Sequence, residues 1–302
     1  MTTALLVLTL ASTLAVGAWL GAWFDRLAPL LYGGRAAGPL APLRAGAAAL
    51  LRPRIETEAP DRMNARLAPG WYLALAAAGL SVVPFAPGAA LIETPVGIVV
   101  WGSCEALTIV AVFLHGWSPN APFPLIGAYR YAAIGLPVML PSMFVLIAAA
   151  LPAESLSFTA IVESQREVWN IVRQPLGLPL FLIVGLTLTL RGPMDFADAA
   201  DIAGGTSAED SGPGRALWQG ARLAMLVSFS AVAATTFLGG PLGPALPGPV
   251  WLWIKTAAIM ALTVAVGHGV ARTTPSRMLT ILWVVLLPLS FVHLLVSGVL
   301  AL

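Results

Sequence analysis

A carboxylate inside a long apolar stretch is costly and therefore informative, and Glu105 is the main one in this chain. It falls near the middle of the run 95–115, where an ionised group costs at least ~2.5 kcal/mol unless it faces water or a partner. Two roles fit it. One is a proton-relay carboxylate; the other is a structural group hydrogen-bonded to Ser103 or Thr108, or turned toward a neighbouring subunit. Asp195, Asp198 and Asp201 recur every third residue just after Arg191-Gly192-Pro193, a spacing that stacks them on one side of a helical turn. Such a run is often only a solvated acidic face. Here it follows an apolar span directly and sits among basic loops, where it can pair with arginines or carry protons, with Asp198 the most central.

Other chemistry is excluded by what is scarce. A single cysteine, Cys104, lies in an apolar run, and His115, His268 and His293 lack ligand spacing. No iron–sulfur cluster, haem pair or other metal site can be built from these residues, so we expect no metal and no cofactor bound by this chain. Lys255 lies near a helix end, where its ammonium is expected to snorkel to the membrane surface. The net charge of +2, from 16 basic and 14 acidic residues, leaves no basic face for nucleic acid.

The elements that position these groups are membrane helices. Of 302 residues 58% are hydrophobic and 10% charged, a balance that no soluble domain hides. We expect an all-α integral membrane protein forming a single membrane domain, 1–302. Its eight spans lie near 3–24, 70–91, 95–115, 125–151, 175–190, 216–239, 249–270 and 279–301. The first run lacks a basic leader and reads as a retained helix. Pro137 and Pro141 should tilt or kink the fourth.

Within an interfacial segment of about 34–66, Pro39 to Leu51 alternates apolar residues with arginines, as an amphipathic surface helix does. The acidic loop of about 191–215 carries Gly204, Gly205, Gly212 and Gly214, which argue against one continuous helix. No tandem or inverted repeat is present, which weighs against an alternating-access carrier. Loops on one side carry twelve arginines, from Arg26 to Arg277, and those on the other only Arg166 and Arg173. By the positive-inside rule the arginine-rich side is cytoplasmic and both termini face outward.

Several motifs in order carry a family likeness. Gly34-Arg35 and Gly38-Pro39-Leu40-Ala41-Pro42-Leu43 resemble an arginine-glycine-proline stretch leading into an interfacial helix. Gly116-Trp117-Ser118-Pro119-Asn120 and Leu125-Ile126-Gly127-Ala128-Tyr129-Arg130 are similar to Gly-Trp-x-x-Asn and Leu-x-Gly-x-x-Arg elements. Ser155-Leu156-Ser157, Ile161-Val162, Gln165, Trp169 and Gln174-Pro175-Leu176-Gly177 follow. Arg191-Gly192-Pro193-Met194-Asp195 and Glu209-Asp210-Ser211-Gly212 stand where Arg-x-Pro-Phe-Asp and Glu-Tyr-Ser-Gly occur. Arg272, Pro275, Arg277 and Trp283 with Leu286-Leu287-Pro288-Leu289 complete the series. Together they resemble the H subunit (subunit 1) of respiratory complex I and its counterparts in energy-converting nickel-iron hydrogenases and formate hydrogenlyases.

The resemblance implies a non-redox, non-catalytic subunit of a multi-subunit oxidoreductase, set in the cell inner membrane. It would anchor a peripheral redox module and couple electron transfer to proton or ion translocation. Its partners would be the lipid bilayer, antiporter-like membrane subunits and peripheral iron-sulfur subunits, either hydrogenase-like or quinone-reducing. Glu105, Asp195, Asp198 and Asp201 become proton-path candidates. Arg35, Arg130, Arg191, Glu209, Asp210, Arg272 and Arg277 become interface or cavity candidates, with quinone at the cytoplasmic-side cavity. Departures accompany the match. Met139 and Leu188 stand where the family has glutamates, as do Ala200 and Ile202. These losses lean toward a hydrogenase-like assembly and make Glu105, additional to the pattern, the group that compensates. The rival is a stand-alone proton- or cation-coupled secondary transporter.

Overall fold

The computed structural model describes residues 3–198 and 204–301; Asp201, Ala200 and Ile202 lie outside them. In chain order the elements are α1 (Thr3–Leu27), α2 (Ala41–Leu51), α3 (Arg62–Ser81), β1 (Pro84–Ala86), β2 (Ala89–Ala90), α4 (Gly97–Trp117) and α5 (Pro122–Ala150). Then come α6 (Phe158–Ser164), α7 (Asn170–Arg173), α8 (Gly177–Leu188), α9 (Gly212–Phe237), α10 (Gly248–Gly269), α11 (Pro275–Ile281) and α12 (Leu287–Ala301). A π-helical turn, Leu282–Leu286, joins α11 to α12. Pro288, which has no N–H to donate, lies two residues beyond it.

Helix starts follow local chemistry. Asp61 caps α3 by accepting from the Asn64 amide at 3.0 Å, and Thr274 caps α11. Proline stands in the first turn of α5, α9, α10 and α11, where its missing N–H goes unneeded.

Each of the eight expected spans corresponds to a helical segment, with two differences. Among the described residues six helices are long and apolar enough to cross a membrane. The second expected span begins earlier, at Arg62, and ends at Ser81, because Pro84, Pro87 and Gly88 turn the chain into the β1–β2 hairpin. The fifth, α8, has only 12 residues, about 18 Å of helix against a ~30 Å core. Its non-helical continuation, Thr189 and Leu190, is buried in protein, which is where irregular backbone is tolerated at membrane depth. The surface helix appears as α2, with Leu43, Leu50 and Leu51 exposed. Helix α5 runs unbroken through Pro137 and Pro141.

Helix α9 is central, packing against α1, α2, α3, α8 and α10. Three glycines set its closest contacts. A Cβ on Gly17 of α1 would lie 2.5 Å from Val227, one on Gly79 of α3 would lie 2.9 Å from Ser228, and one on Gly185 of α8 would lie 2.1 Å from Phe229. With no hydrophobic drive between helices in lipid, such close approach supplies the packing energy.

The end away from the arginines is closed by buried amides. Gln165 donates to the Ile161 and Thr235 carbonyls at 3.1 and 2.9 Å and accepts from the Asn170 and Gly239 amides at 3.1 and 2.9 Å. Asn170 reaches the Ala149 and Thr236 carbonyls, and Gln174 the Ala148 carbonyl, so the carbonyls left free at the ends of α5 and α9 find donors. Lys255 does not snorkel. It is buried, its Nζ donating to Leu238, Gly240 and Leu242 carbonyls at 2.5, 3.0 and 2.5 Å and lying 4.3 Å from the Trp169 ring centre. Carbonyls at the end of α9 offered a better partner than the membrane surface.

Candidate functional site

At the arginine-rich end lies a cavity of about 800 Å³. Small residues of α1 (Ala15, Ala18, Ala22) and of α2 (Ala45, Gly46, Ala49) line one side, and α9 with the loop after α8 lines the other. Trp19 donates to the Pro39 carbonyl at 2.9 Å and Trp23 to that of Ala37 at 3.3 Å. The two indoles stack, so the chain leading into α2 is tethered to α1.

Acid–arginine pairs join the walls. Arg191 grips Asp25 of α1 with two nitrogens, at 2.5 and 2.9 Å, and His268 of α10 stands 3.5 Å from the same carboxylate. Arg222 of α9 meets Asp198 at 2.7 Å and also donates to the Leu190 carbonyl at 2.6 Å. Asp195 lies 3.9 Å from Arg272, whose guanidinium is 5.9 Å from the Phe196 ring. The bidentate Arg191–Asp25 contact is strong and directional, and together with Arg222–Asp198 it fixes the loop against α1 and α9 while both pairs face an open cavity.

The loop itself is not helical. Residues 191–198 form two successive turns, closed by Met194 N to Arg191 O and Asp198 N to Asp195 O. The expected stack of carboxylates on one helical turn is therefore corrected: Asp195 opens the second turn, Asp198 closes it, and the two are drawn to different arginines. The motif glycines explain their positions. A Cβ on Gly127 would lie 2.6 Å from the Ala197 carbonyl, and one on Gly116 would lie 2.9 Å from Thr206, so both seat the acidic loop. Gly212 adopts φ +55°, a left-handed turn that favours glycine, and Ser211 ties the loop to Ile55.

Of the sequence candidates, Arg191, Asp195 and Asp198 line this cavity, with Arg272 beside it. Glu209 and Asp210 line a second cavity. Arg35 and Arg277 are exposed elsewhere, and Arg130 is half-buried on α5 outside both linings. Glu105 is separate again. It is 1% exposed, accepting from Trp101 Nε1 at 2.5 Å and from Ser142 Oγ of α5 at 2.7 Å. Ser103 and Thr108 bond their own helix instead. Contacts of Gly102 with Met143 and of Gly135 with Ile109 set α4 against α5, which places Glu105 at the level of Met139.

Between Glu105 and the cavity lie groups that sequence reading passed over. Tyr72 donates to the Leu188 carbonyl and packs on Trp218 with ring centres 5.2 Å apart. The Tyr131 hydroxyl is buried without a hydrogen-bond partner among the described residues, within electrostatic reach of Tyr72, Glu105 and Arg222. Asp25 and Arg222 were also missed. Arg222 is a charge inside an apolar span, the same signal that marked Glu105.

A family model described as NADH dehydrogenase matches residues 1–298. The chain is 37% identical over 241 residues to the H 1 chain of the NADH-quinone oxidoreductase of Rhodopseudomonas palustris strain HaA2, covering 79% of this chain and 75% of that protein. The H 1 chain of the same oxidoreductase from strain BisB5 and the H 2 chain from strain ATCC BAA-98 / CGA009 match to the same extent.

Proposed function

The chain belongs to the NADH dehydrogenase family, and on that premise we propose that it is a non-redox membrane subunit of a complex I-like assembly. It sits in the bacterial inner membrane with the arginine-rich end cytoplasmic, and anchors there a peripheral redox module. The described parts of the acidic loop, 191–198 and 204–211, and α2 form the docking face, and antiporter-like subunits are the membrane neighbours. The reading is carried by one observation, the 800 Å³ cavity walled by α1, α2, the acidic loop and α9.

That cavity suits a quinone as substrate. Its size is that of ordinary small-molecule sites, and it combines an apolar wall, Ala15, Ala18, Ala22 and Leu223, with polar groups at Asp25, Arg191 and Gln219. The relatives' names and this mixed lining favour a quinone-reducing assembly over a hydrogenase-like one. Protons would pass from the Asp198–Arg222 pair by way of Tyr72 and Tyr131 to Glu105, whose depth matches the vacant glutamate position at Met139.

An azido-quinone photolabel applied to the complex purified in mild detergent tests this. Label on peptides 15–49 and 216–223, together with co-purified iron–sulfur subunits, is the expected result. A chain that purifies alone or as a homo-oligomer and takes no label is a carrier. Cysteine placed at Arg215 should resist an impermeant thiol reagent in intact cells; ready labelling reverses the orientation.

A further inference from the structure

The arginine-rich end holds a second cavity of about 220 Å³. It opens between the chain from Arg54 to Pro69, the end of α4 with Ser118 and Pro119, and the segment from Glu209 to Leu217. His115, in the last turn of α4, forms part of its wall with a side chain only 4% exposed. Among the described residues neither ring nitrogen has a hydrogen-bond partner, and Asp210 Oδ2 is equally buried and unpartnered. These two groups stand 3.2 Å apart, near enough for a hydrogen bond but not aligned for one. The imidazole lies flat on Trp218, with ring centres 3.6 Å apart and planes 12° off parallel.

Buried polar atoms without partners are rare in folded proteins and call for a cause. A polar cavity of this size holds water, which can complete them. An imidazole alternates between one donor with one acceptor and two donors, so its needs change with protonation while the fold stays fixed. The C-terminal turn of a helix and the face of an indole both accommodate a cation. A carboxylate at hydrogen-bond distance supplies the counter-charge.

We propose that His115 and Asp210 form a proton-binding site loaded from this second cavity, separate from the large cavity beside α1 and α2. A hydronium ion or buffer acid in the cavity gives its proton to a ring nitrogen, Asp210 balances the imidazolium, and release reverses the step. Other charged groups face the cavity from every side. The chain before α3 brings Arg54 and Glu56, paired at 3.0 Å; α3 brings Arg66; and the acidic loop brings Glu209. Asp61 is turned away to cap α3, and α9 presents Leu217 and Trp218. Behind His115 the packing runs through Trp218 to Tyr72 and on toward Tyr131 and Glu105. The site therefore deepens the coupling role proposed above, and rests on that reading only for where the proton goes next.

Infrared difference spectra with ring-¹⁵N histidine, recorded on the purified wild-type complex and on the His115→Gln complex and subtracted, isolate the contribution of this one imidazole from those of all other histidines. Between acid and neutral pH, one imidazole and one carboxylate should change together, and His115→Gln should remove both changes. Asp210→Asn should delete the carboxylate signal and move the imidazole transition toward lower pH, because the counter-charge of the imidazolium is gone. A His115→Gln spectrum equal to wild type would overturn the site. If that variant does not fold, Asp210→Asn decides: an unchanged carboxylate signal with an unmoved imidazole transition is equally fatal. Glu105→Gln separates the two readings. If it leaves both coupling and the His115 transition intact, the relay through Glu105 fails and the binding site stands.

Discussion

The two ends of this bundle bury polar side chains for different purposes. Away from the arginines, Gln165, Asn170, Gln174 and Lys255 all reach backbone carbonyls, most of them at helix ends. The fold itself is their partner. At the arginine-rich end, Asp25, Arg191, Asp198 and Arg222 reach one another across helices and line an open cavity. A carbonyl offers an amide a single useful arrangement, whereas a charge pair beside water can be rebalanced by a ligand, a proton or a docking subunit. At the arginine-rich end the buried polarity is thus open to function, because the partner is another charged group and the pair can be reached.

The contrast can be broken by substitution. Gln165→Leu should have the largest effect on stability. It strands the Asn170 and Gly239 amides and the Thr235 carbonyl at a site that is 0% exposed, a loss of about 3 kcal/mol. Thermal unfolding in detergent should show it, with assembly impaired.

Arg191→Gln should cost less, about 1 kcal/mol, because Asp25 is 30% exposed to the cavity and water can replace part of the pair. A double-mutant cycle with Asp25→Asn should return a coupling energy of the same order. Redox-linked turnover should fall more than stability does. If Arg191→Gln unfolds the chain as readily as Gln165→Leu, the cavity pairs are structural too and the contrast collapses.

The sequence disclosed some of this architecture and hid the rest for identifiable reasons. Apolar runs marked the spans because the bilayer demands them, and Pro39 to Leu51 marked α2. Gln165, Trp169 and Gln174 were visible as motif letters, but their purpose was not, since their carbonyl partners lie on helices far along the chain. The Asp25–Arg191 pair joins residues 166 positions apart, a distance no periodicity reports. Arg222 was absorbed into an apolar span, and only the loop that brings Asp198 beside it explains its presence. The acidic triplet misled because its spacing suits a helix, while each described carboxylate answered to a different arginine.

Glu105 lies between the two ends and could belong with either, which makes the smallest structural change the sharpest test. Like the far-end amides it is fully buried and held by neutral donors of its own chain, Trp101 and Ser142. Like the cavity pairs it includes a carboxylate, and the unpartnered Tyr131 hydroxyl lies on the cavity side of it. Glu105→Gln keeps the size of the side chain and an oxygen for Trp101, and its amide can donate to a Ser142 hydroxyl that turns around. Stability should change by no more than about 0.5 kcal/mol, and assembly should be normal. An amide cannot exchange a proton, so ion translocation per electron should fall while electron transfer continues. Glu105→Leu serves as the contrast, since it strands the Trp101 N–H and the serine and should impair assembly under either role. If the Gln variant assembles and stays fully coupled, Glu105 joins Gln165 and Lys255 as a group that holds helices together. The chain would then anchor the redox module, with the proton chemistry in its neighbours.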